Sequence, residues 1–329
     1  MAQIQALNLP DAADLNVLDV HPSLELQSCN HLLDDHAALQ RFYEENGYIL
    51  LRQVLNRASV ERARDEMIAV AARHGLVQPG DQDGKWTGKP FKGGLEESPE
   101  FSGISRRLVE QPDNLRVLEK VLGEKACMVP IVQYRTYPPE GPVTIVHQDG
   151  FYSPGIQDYK PVWVPLVACK KEMGGLMCAV GQNRRGYFHN LAKPTPFPVP
   201  VGVIPEDSWA TTDYEPGDLL LVHPCTPHAS MPNTSNRLRI SFDTRVQSAA
   251  RPSAVAATVL EVTPTTIRVN GDIIGERTLK VDRETYLRPV DPGIREPFEK
   301  FAEVTRPGMR LVVVMDGDRA VMLRRASEG

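Results

Sequence analysis

The chain has 329 residues, 41% of them hydrophobic, enough to bury one sizeable core and leave residues for a smaller appendage. Lys and Arg number 37 against 42 Asp and Glu, a formal net charge of −5 spread along the chain, which excludes the electrostatic footprint of a nucleic-acid binder. No apolar run approaches the roughly 18 to 20 residues of a membrane span. The N-terminal "MAQIQALNLPDAADLNVLDV" lacks the basic and apolar regions of a signal peptide, so a cytoplasmic protein without membrane or nucleic-acid partners is expected.

Residues 1–33 carry no clear period and are read as an extended arm. "DDHAALQRFYEENG" then has Asp34 or Asp35 as N-cap, Leu39, Phe42 and Tyr43 on one stripe, and Asn46-Gly47 as a stop, which predicts a helix. "YILLRQVL" reads as a buried strand, and "NRASVERARDEMIAVAARHG" as a second amphipathic helix ending at Gly75. From Gln78 to about Pro99 the chain turns rich in Gly, Lys and Pro; a solvated connection is expected, with Trp86 and Phe91 as its ligand-packing candidates should it serve as a lid. "PDNLRVLEKVLG" is a further short helix.

After Gly123 the pattern changes to short β runs separated by Pro and Gly: "CMVPIVQYRTY", "VTIVHQDG", "KPVWVPLVAC", "GLMCAV", "GDLLLVHP" and "LRISFDTRV". Helices in front and many short strands behind predict a mainly β sandwich or open barrel with flanking helices, not an alternating βαβ sheet. No G-x-G-x-x-G, P-loop or G-x-S-x-G is present to anchor a nucleotide or serine-hydrolase reading. Residues 250–329 contain Asn270-Gly271 and Asp316-Gly317, each flanked by β-rich runs, and are read as two hairpins of a small β-rich C-terminal domain. That domain is a candidate for oligomerisation, substrate gating or structural support.

Five scattered cysteines (Cys29, Cys127, Cys169, Cys178, Cys225) without a CxxC suit reduced thiols. The chemistry starts at "TIVHQDGFY". On a strand, His147 and Asp149 share a face and present an imidazole beside a carboxylate. About 0.4 such H-x-D pairs are expected by accident in a chain of this composition, so the pair needs a third ligand. His223 and His228 compete for that role within "GDLLLVHPCTPHASMPNTSNRLRISFDTR". With "PNTSN" as a hairpin turn centred between Asn233 and Thr234, His228 faces Arg239 and Ser230 faces Arg237. The strand from Arg237 alternates Leu238, Ile240 and Phe242 against Arg237, Arg239 and Ser241. Arg239 is then either a surface arginine or a buried cation awaiting a dianionic co-substrate.

The stretches "HQD", "VWVPL", "EMGGLMCAVGQNRRG", "EPGDLLLVH" and "HASMPNTSNRLR", in this order within about residues 36–247, resemble the phytanoyl-CoA dioxygenase family of iron(II)- and 2-oxoglutarate-dependent oxygenases. The resemblance implies a double-stranded β-helix (jelly-roll, cupin-like) core over residues 34–249, with Fe(II) bound by His147, Asp149 and His228. It further implies that Arg239, eleven residues after His228, holds the far carboxylate of 2-oxoglutarate with help from Ser230, and that Trp163 and Gln133 line that pocket. The implied reaction consumes O2, releases succinate and CO2, and hydroxylates an unactivated C–H bond of a free small molecule. Desaturation, epoxidation, rearrangement and ring closure stay open, whereas halogenation is disfavoured because Asp149 fills the ligand position a halide needs. The family's usual "PGSHR" is here "VGQNRRG", with Gln182 and Asn183 in place of a small residue and a histidine. The rival classes are a zinc hydrolase or lyase, which needs no Arg239, and a non-catalytic jelly-roll binding module.

Overall fold

The computed structural model of the chain describes residues 20–90, 99–153, 155–188, 199, 202–290 and 295–326. Residues 1–19 of the predicted arm, and 91–98 of the predicted loop including Phe91, lie outside the described residues. Strand β1 (Leu24–Glu25) precedes helix α1 (His36–Asn46), whose ends follow its sequence: the Asp35 carboxylate accepts from the Ala38 amide, and Gly47 closes it in the left-handed region. β2 (Tyr48–Leu51) is buried throughout, and α2 (Arg57–Arg73) begins where the Asn56 side chain accepts from the Ser59 amide. Helices α3 (Ile104–Val109) and α4 (Pro112–Leu122) complete a helical layer, α4 opening on proline and ending at left-handed Gly123. Between α2 and α3, the start of the Gly-rich loop is docked: the Trp86 amide donates to the Asn236 carbonyl and the Leu238 amide to the Gly84 carbonyl.

The barrel is built from β3 (Ala126–Tyr137), a bridge at His147, the single helical turn α5 (Asp149–Tyr152), β4 (Tyr159–Pro165), β5 (Leu176–Ala179), β6 (Trp209–Thr211), β7 (Leu219–Val222), β8 (His228–Ser230) and β9 (Arg239–Ser248). One sheet runs β2-β7-β4-β9-β3 and the other β1-β6-β5-β8, with His147 pairing on the free side of β8. Along the chain, β3 lies in the larger sheet, His147 in the smaller, β4 in the larger, β5 and β6 in the smaller, then β7, β8 and β9 alternate. This alternation is the winding of a double-stranded β-helix. Leu238, Ile240 and Phe242 face the helical layer and join one core with Leu39, Met67, Leu118 and Leu221. Arg239 and Ser241 point the other way, into the barrel, which decides between the surface and buried readings that the alternation left open.

Two local predictions are corrected here. "VTIVHQDG" is not a strand: only His147 pairs, and Asp149 begins a helical turn, so imidazole and carboxylate converge across a strand-to-helix bend. Nor do β8 and β9 form a hairpin. His228 pairs with Cys178 and His147, Ser230 with Leu176, and Arg239 with Tyr137 in the opposite sheet. "PNTSN" is a corner between sheets, held because Asn233 Nδ2 donates to the Tyr137 and Arg237 carbonyls and the Thr234 amide to the Glu172 carbonyl. Such a corner and a hairpin turn use the same residue types.

Beyond the barrel, β10 (Ala254–Val262), β11 (Thr266–Gly271), β12 (Gly275–Lys280), β13 (Tyr286–Arg288), the turn α6 (Phe301–Val304), β14 (Arg310–Asp316) and β15 (Arg319–Arg325) form a sheet ordered β12-β11-β10-β14-β15-β13. A parallel bridge between Lys280 and Arg319 closes five of these strands into a small barrel with the strand order of an OB-fold. The predicted Asn270-Gly271 turn is corrected: both residues lie in β11, and the chain reverses over 272–274. Gly271 is needed where Ile274 folds back over it, since a Cβ there would lie 2.6 Å from Ile274 Cγ1. The Asp316-Gly317 hairpin forms as predicted, with Gly317 at φ 59°.

The small barrel packs on the larger one through Ala254, Val312, Val314 and Met322, which meet Val129, Ile131, Ile156 and Tyr159. Ser253 Oγ accepts from the Gln157 amide at 3.0 Å and donates to its carbonyl at 3.2 Å. Gly155, at φ 81°, touches Val321 so closely that a Cβ would sit 2.4 Å from Val321 Cγ1. We expect Gly155→Val to lower unfolding stability by about 2–4 kcal/mol, from left-handed strain plus overpacking, which urea denaturation would measure.

Candidate active site

His147 and His228 face each other across the smaller sheet and exchange both backbone hydrogen bonds, the His147 amide to the His228 carbonyl at 3.0 Å and the reverse at 2.9 Å. Their ring centroids lie 4.2 Å apart. Each Nδ1 faces a backbone carbonyl, Ile145 O at 2.8 Å for His147 and Thr226 O at 3.0 Å for His228. A carbonyl only accepts, so each Nδ1 carries the proton and each Nε2 keeps its lone pair for another partner. Asp149 Oδ1 lies 3.6 Å from His147 Nε2, and one ligand atom from each of His147, Asp149 and His228 falls within 4.8 Å of the others.

Gln148, between the first two, is fully buried and holds the bend: its Nε2 donates to the Gly186 and Cys225 carbonyls at 2.8 and 2.6 Å, and its Oε1 accepts from the Phe188 amide at 2.7 Å. His223, the competing histidine, stands apart from the cluster, with Nε2 3.7 Å from Glu44 and Nδ1 accepting from the Cys225 amide. The described cysteines are all free thiols.

A small cavity opens beside the cluster, lined by Trp163, Ser230 and Arg239 together with the three candidate ligands. Arg239 is 1% exposed, yet among the described residues no carboxylate lies within ion-pair distance. One guanidinium nitrogen donates to the Gly174 carbonyl at 2.6 Å, the group stacks 4.1 Å over the Tyr137 ring, and its Nε is unpartnered. Ser230 Oγ and Trp163 Nε1 are also buried without partners. Leaving such groups orphaned costs about 1–3 kcal/mol each and more for a cation. Gln133 is not among the cavity-lining residues; its side-chain oxygen accepts from Arg135.

Three residues that the sequence reading passed over complete the site. Arg135 Nε donates to Asp243 at 2.9 Å, Arg245 lies 3.8 Å from the other Asp243 oxygen, and Arg245 Nη2 lies 3.4 Å from Asp149 Oδ1. Asp243 and Arg245 follow Arg239 at even spacing along β9, so the same alternation that turned Arg239 inward turns them inward too. Burial opposes ionisation of Asp149, but Arg245 and the two imidazoles override it and hold the carboxyl well below the usual carboxylate range. Burial, aided by His147, pushes His228 down to about 4.

Two imidazoles and one carboxylate brought together in this way are a donor set that could hold a metal ion of the non-heme iron(II) kind. The donor set fits such an ion, and the neighbouring orphaned cation and hydroxyl fit an anionic co-substrate. The family described as "Phytanoyl-CoA dioxygenase (PhyH)" matches residues 43–241. Two relatives, each named 1-deoxypentalenic acid 11-beta-hydroxylase, are 32% identical. The one from Streptomyces exfoliatus aligns over 239 residues and the one from Streptomyces arenae over 242, each covering 68% of this chain and 84% of the relative. Among solved structures, a non-heme monooxygenase, ThoJ in its apo form, is 20% identical over 66% of this chain and 80% of its own, with a TM-score of 0.49. The chain belongs to the phytanoyl-CoA dioxygenase family and is an iron(II)- and 2-oxoglutarate-dependent oxygenase. Residues 242–329 lie outside the family match. No helix among the described residues is long and apolar enough to cross a membrane.

Because His228 is neutral in the folded, metal-free protein down to about pH 4 but protonates near 6.5 when unfolded, the unfolded state binds the extra proton between these values. Stability should therefore be full above pH 6.5 and fall as pH drops towards 4, by up to about 3 kcal/mol. Urea melts of metal-free protein at pH 7 and 4.5 should show this loss, and His228→Asn should reduce it.

Proposed function

We propose that the protein hydroxylates an unactivated C–H bond of a small organic molecule with release of succinate and CO2, using His147, Asp149 and His228 to hold Fe(II). The observation that carries this reading is the buried, carboxylate-free Arg239 beside the three-ligand cluster. Bound iron, with 2-oxoglutarate and O2, supplies the oxidising power for the C–H bond. The residues bind and orient. Arg239 receives the distal carboxylate of 2-oxoglutarate as a charge-assisted pair, and Ser230 Oγ donates to the same group. Trp163 walls the pocket, packed edge-on against Tyr214 at 4.9 Å, and its buried indole N–H has no partner. Gln133 acts at one remove, by fixing Arg135.

Both curated relatives are named as hydroxylases acting on 1-deoxypentalenic acid, which supports hydroxylation over ring closure or epimerisation. With Asp149 in place no ligand position is vacated for a halide. A free small molecule is favoured over a polyphosphate carrier: Lys170 is paired with Glu215 at 2.6 Å and Lys171 with Glu25 at 2.9 Å, so neither forms a free basic patch. Arg185 is occupied by Gln182 and the Val203 carbonyl. The Asn183 departure from the family motif has a structural use, since its Nδ2 donates to the Glu44 carbonyl near the end of α1. We read residues 250–329 as a separate small domain that supports the segment after Asp149.

Anaerobic titration of metal-free protein with Fe(II) and 2-oxoglutarate tests the reading through the visible charge-transfer band of the chelate. The band should form in wild type, vanish in Asp149→Ala, and need at least about 30-fold more 2-oxoglutarate in Arg239→Ala, the lower end of what removing one partner of a buried charge pair costs. A folded protein that binds Zn(II) but gives no band would instead favour a hydrolase or lyase.

A further inference from the structure

Arg245 has no place in the ligand set or the co-substrate pocket, yet its side chain is only 5% exposed. It sits on β9 where it pairs with Pro161 of β4 and Val129 of β3, deep in the larger sheet. Its guanidinium faces two carboxylates: Nη2 is 3.4 Å from Asp149 Oδ1 and Nη1 3.8 Å from Asp243 Oδ1, while Nη1 also donates to the Ile131 carbonyl at 3.4 Å. Arg135 holds the far oxygen of Asp243 at 2.9 Å. The charges thus alternate along the barrel interior, Arg135, Asp243, Arg245, Asp149. The Asp149 oxygen that faces Arg245 is the one that lies 3.6 Å from His147 Nε2. Among the described residues, Arg245 is the one arginine or lysine within ion-pair distance of Asp149.

We propose that Arg245 is a positioning residue that acts as a place-holding cation: in the metal-free protein it supplies the positive charge that keeps the buried Asp149 carboxylate turned towards His147 and His228. The inference rests on the reading of Asp149 as a metal ligand. Removing one member of a buried charge pair leaves the other uncompensated and destabilises the fold. A divalent cation bound at the cluster would restore that compensation, so loss of Arg245 should be repaired by metal. An arginine that only filled space would leave a deficit that metal does not repair. Arg135 is the internal control, because its hydrogen bond and ion pair are with Asp243, and Asp149 acts on it only as a weaker, longer-range charge.

The test is thermal unfolding of the full chain, metal-free and with saturating Co(II), for wild type, Arg245→Met, Arg245→Lys, Arg135→Met and Asp149→Asn. Metal-free Arg245→Met should melt about 5 °C or more below wild type, as expected for a broken buried pair in a chain of this size. Its Co(II)-induced rise should exceed that of wild type by at least about 4 °C. Arg245→Lys should fall between the two, and Arg135→Met should melt lower with and without Co(II) by the same amount. A rise in Arg245→Met no larger than in wild type overturns the proposal. If the Co(II) shift survives in Asp149→Asn, the ligand assignment itself fails; if it is lost there but unchanged in Arg245→Met, only the place-holding role falls. Should Arg245→Met not fold, Arg245→Gln, which keeps a donor but not the charge, is read in the same way.

Discussion

The reciprocal hydrogen bonds between the backbones of His147 and His228 are the constraint on which the site depends. They form a single bridge on the free edge of β8, extended only by the Ser230 amide donating to the Thr144 carbonyl at 3.0 Å. That bridge sets two imidazoles 4.2 Å apart before any side-chain interaction is counted. The carbonyls of Ile145 and Thr226 then fix which nitrogen carries the proton on each ring, and both choices leave Nε2 available. A slip of one residue on either side would turn one imidazole to the other face. The short pairing is compatible with that precision because β8 is anchored on its other edge by three residue pairs to β5.

Inside the barrel the charged residues divide into two regimes. Arg135, Asp243, Arg245 and Asp149 alternate in sign and satisfy one another, so this part of the interior is near neutral without any ligand. Arg239 is left out of that compensation, and burial pulls it below its ordinary arginine value. A barrel that balances two of three inward arginines and leaves the third facing a cavity with an unpartnered serine is organised for an anion at that end. The physical asymmetry is informative because all three arginines lie on the neighbouring strands β3 and β9, with a register shift between Val129 and Gln133 separating Arg245 from the other two.

Much of this was legible in the sequence, and what was not has identifiable causes. The caps of α1, the Gly123 stop and the division of β9 into two faces follow from residue type and period, because those signals are local. The choice of His228 over His223 needed the resemblance, since the hairpin register that pointed to His228 is not the one the chain adopts. The supposed β8–β9 hairpin failed because "PNTSN" reports that the chain turns, not which sheet it turns into. Asn270-Gly271 misled for a related reason: Gly271 is demanded by the close approach of Ile274 and not by a turn at that residue. Asp243 and Arg245 were visible in the same alternation as Arg239, but pairing across β3, β4 and β9 gives them meaning, and that information is non-local.

The segment around Asp149 shows why the chain beyond the family match matters to the site. On its N-terminal side Gln148 ties the bend to Gly186, Cys225 and Phe188, all within the larger barrel. On its C-terminal side the chain leaves α5, passes Gly155 against Val321, and is pinned at Gln157 by Ser253, before re-entering the sheet as β4. The second set of contacts comes from the small barrel. A carboxylate on a one-turn helix has little intrinsic rigidity, since an isolated turn of helix is marginal. Its position must be imposed from both flanks and by Arg245 beneath it. The small barrel is therefore part of what holds Asp149 in register with the two histidines, although none of its described residues lines the cavity.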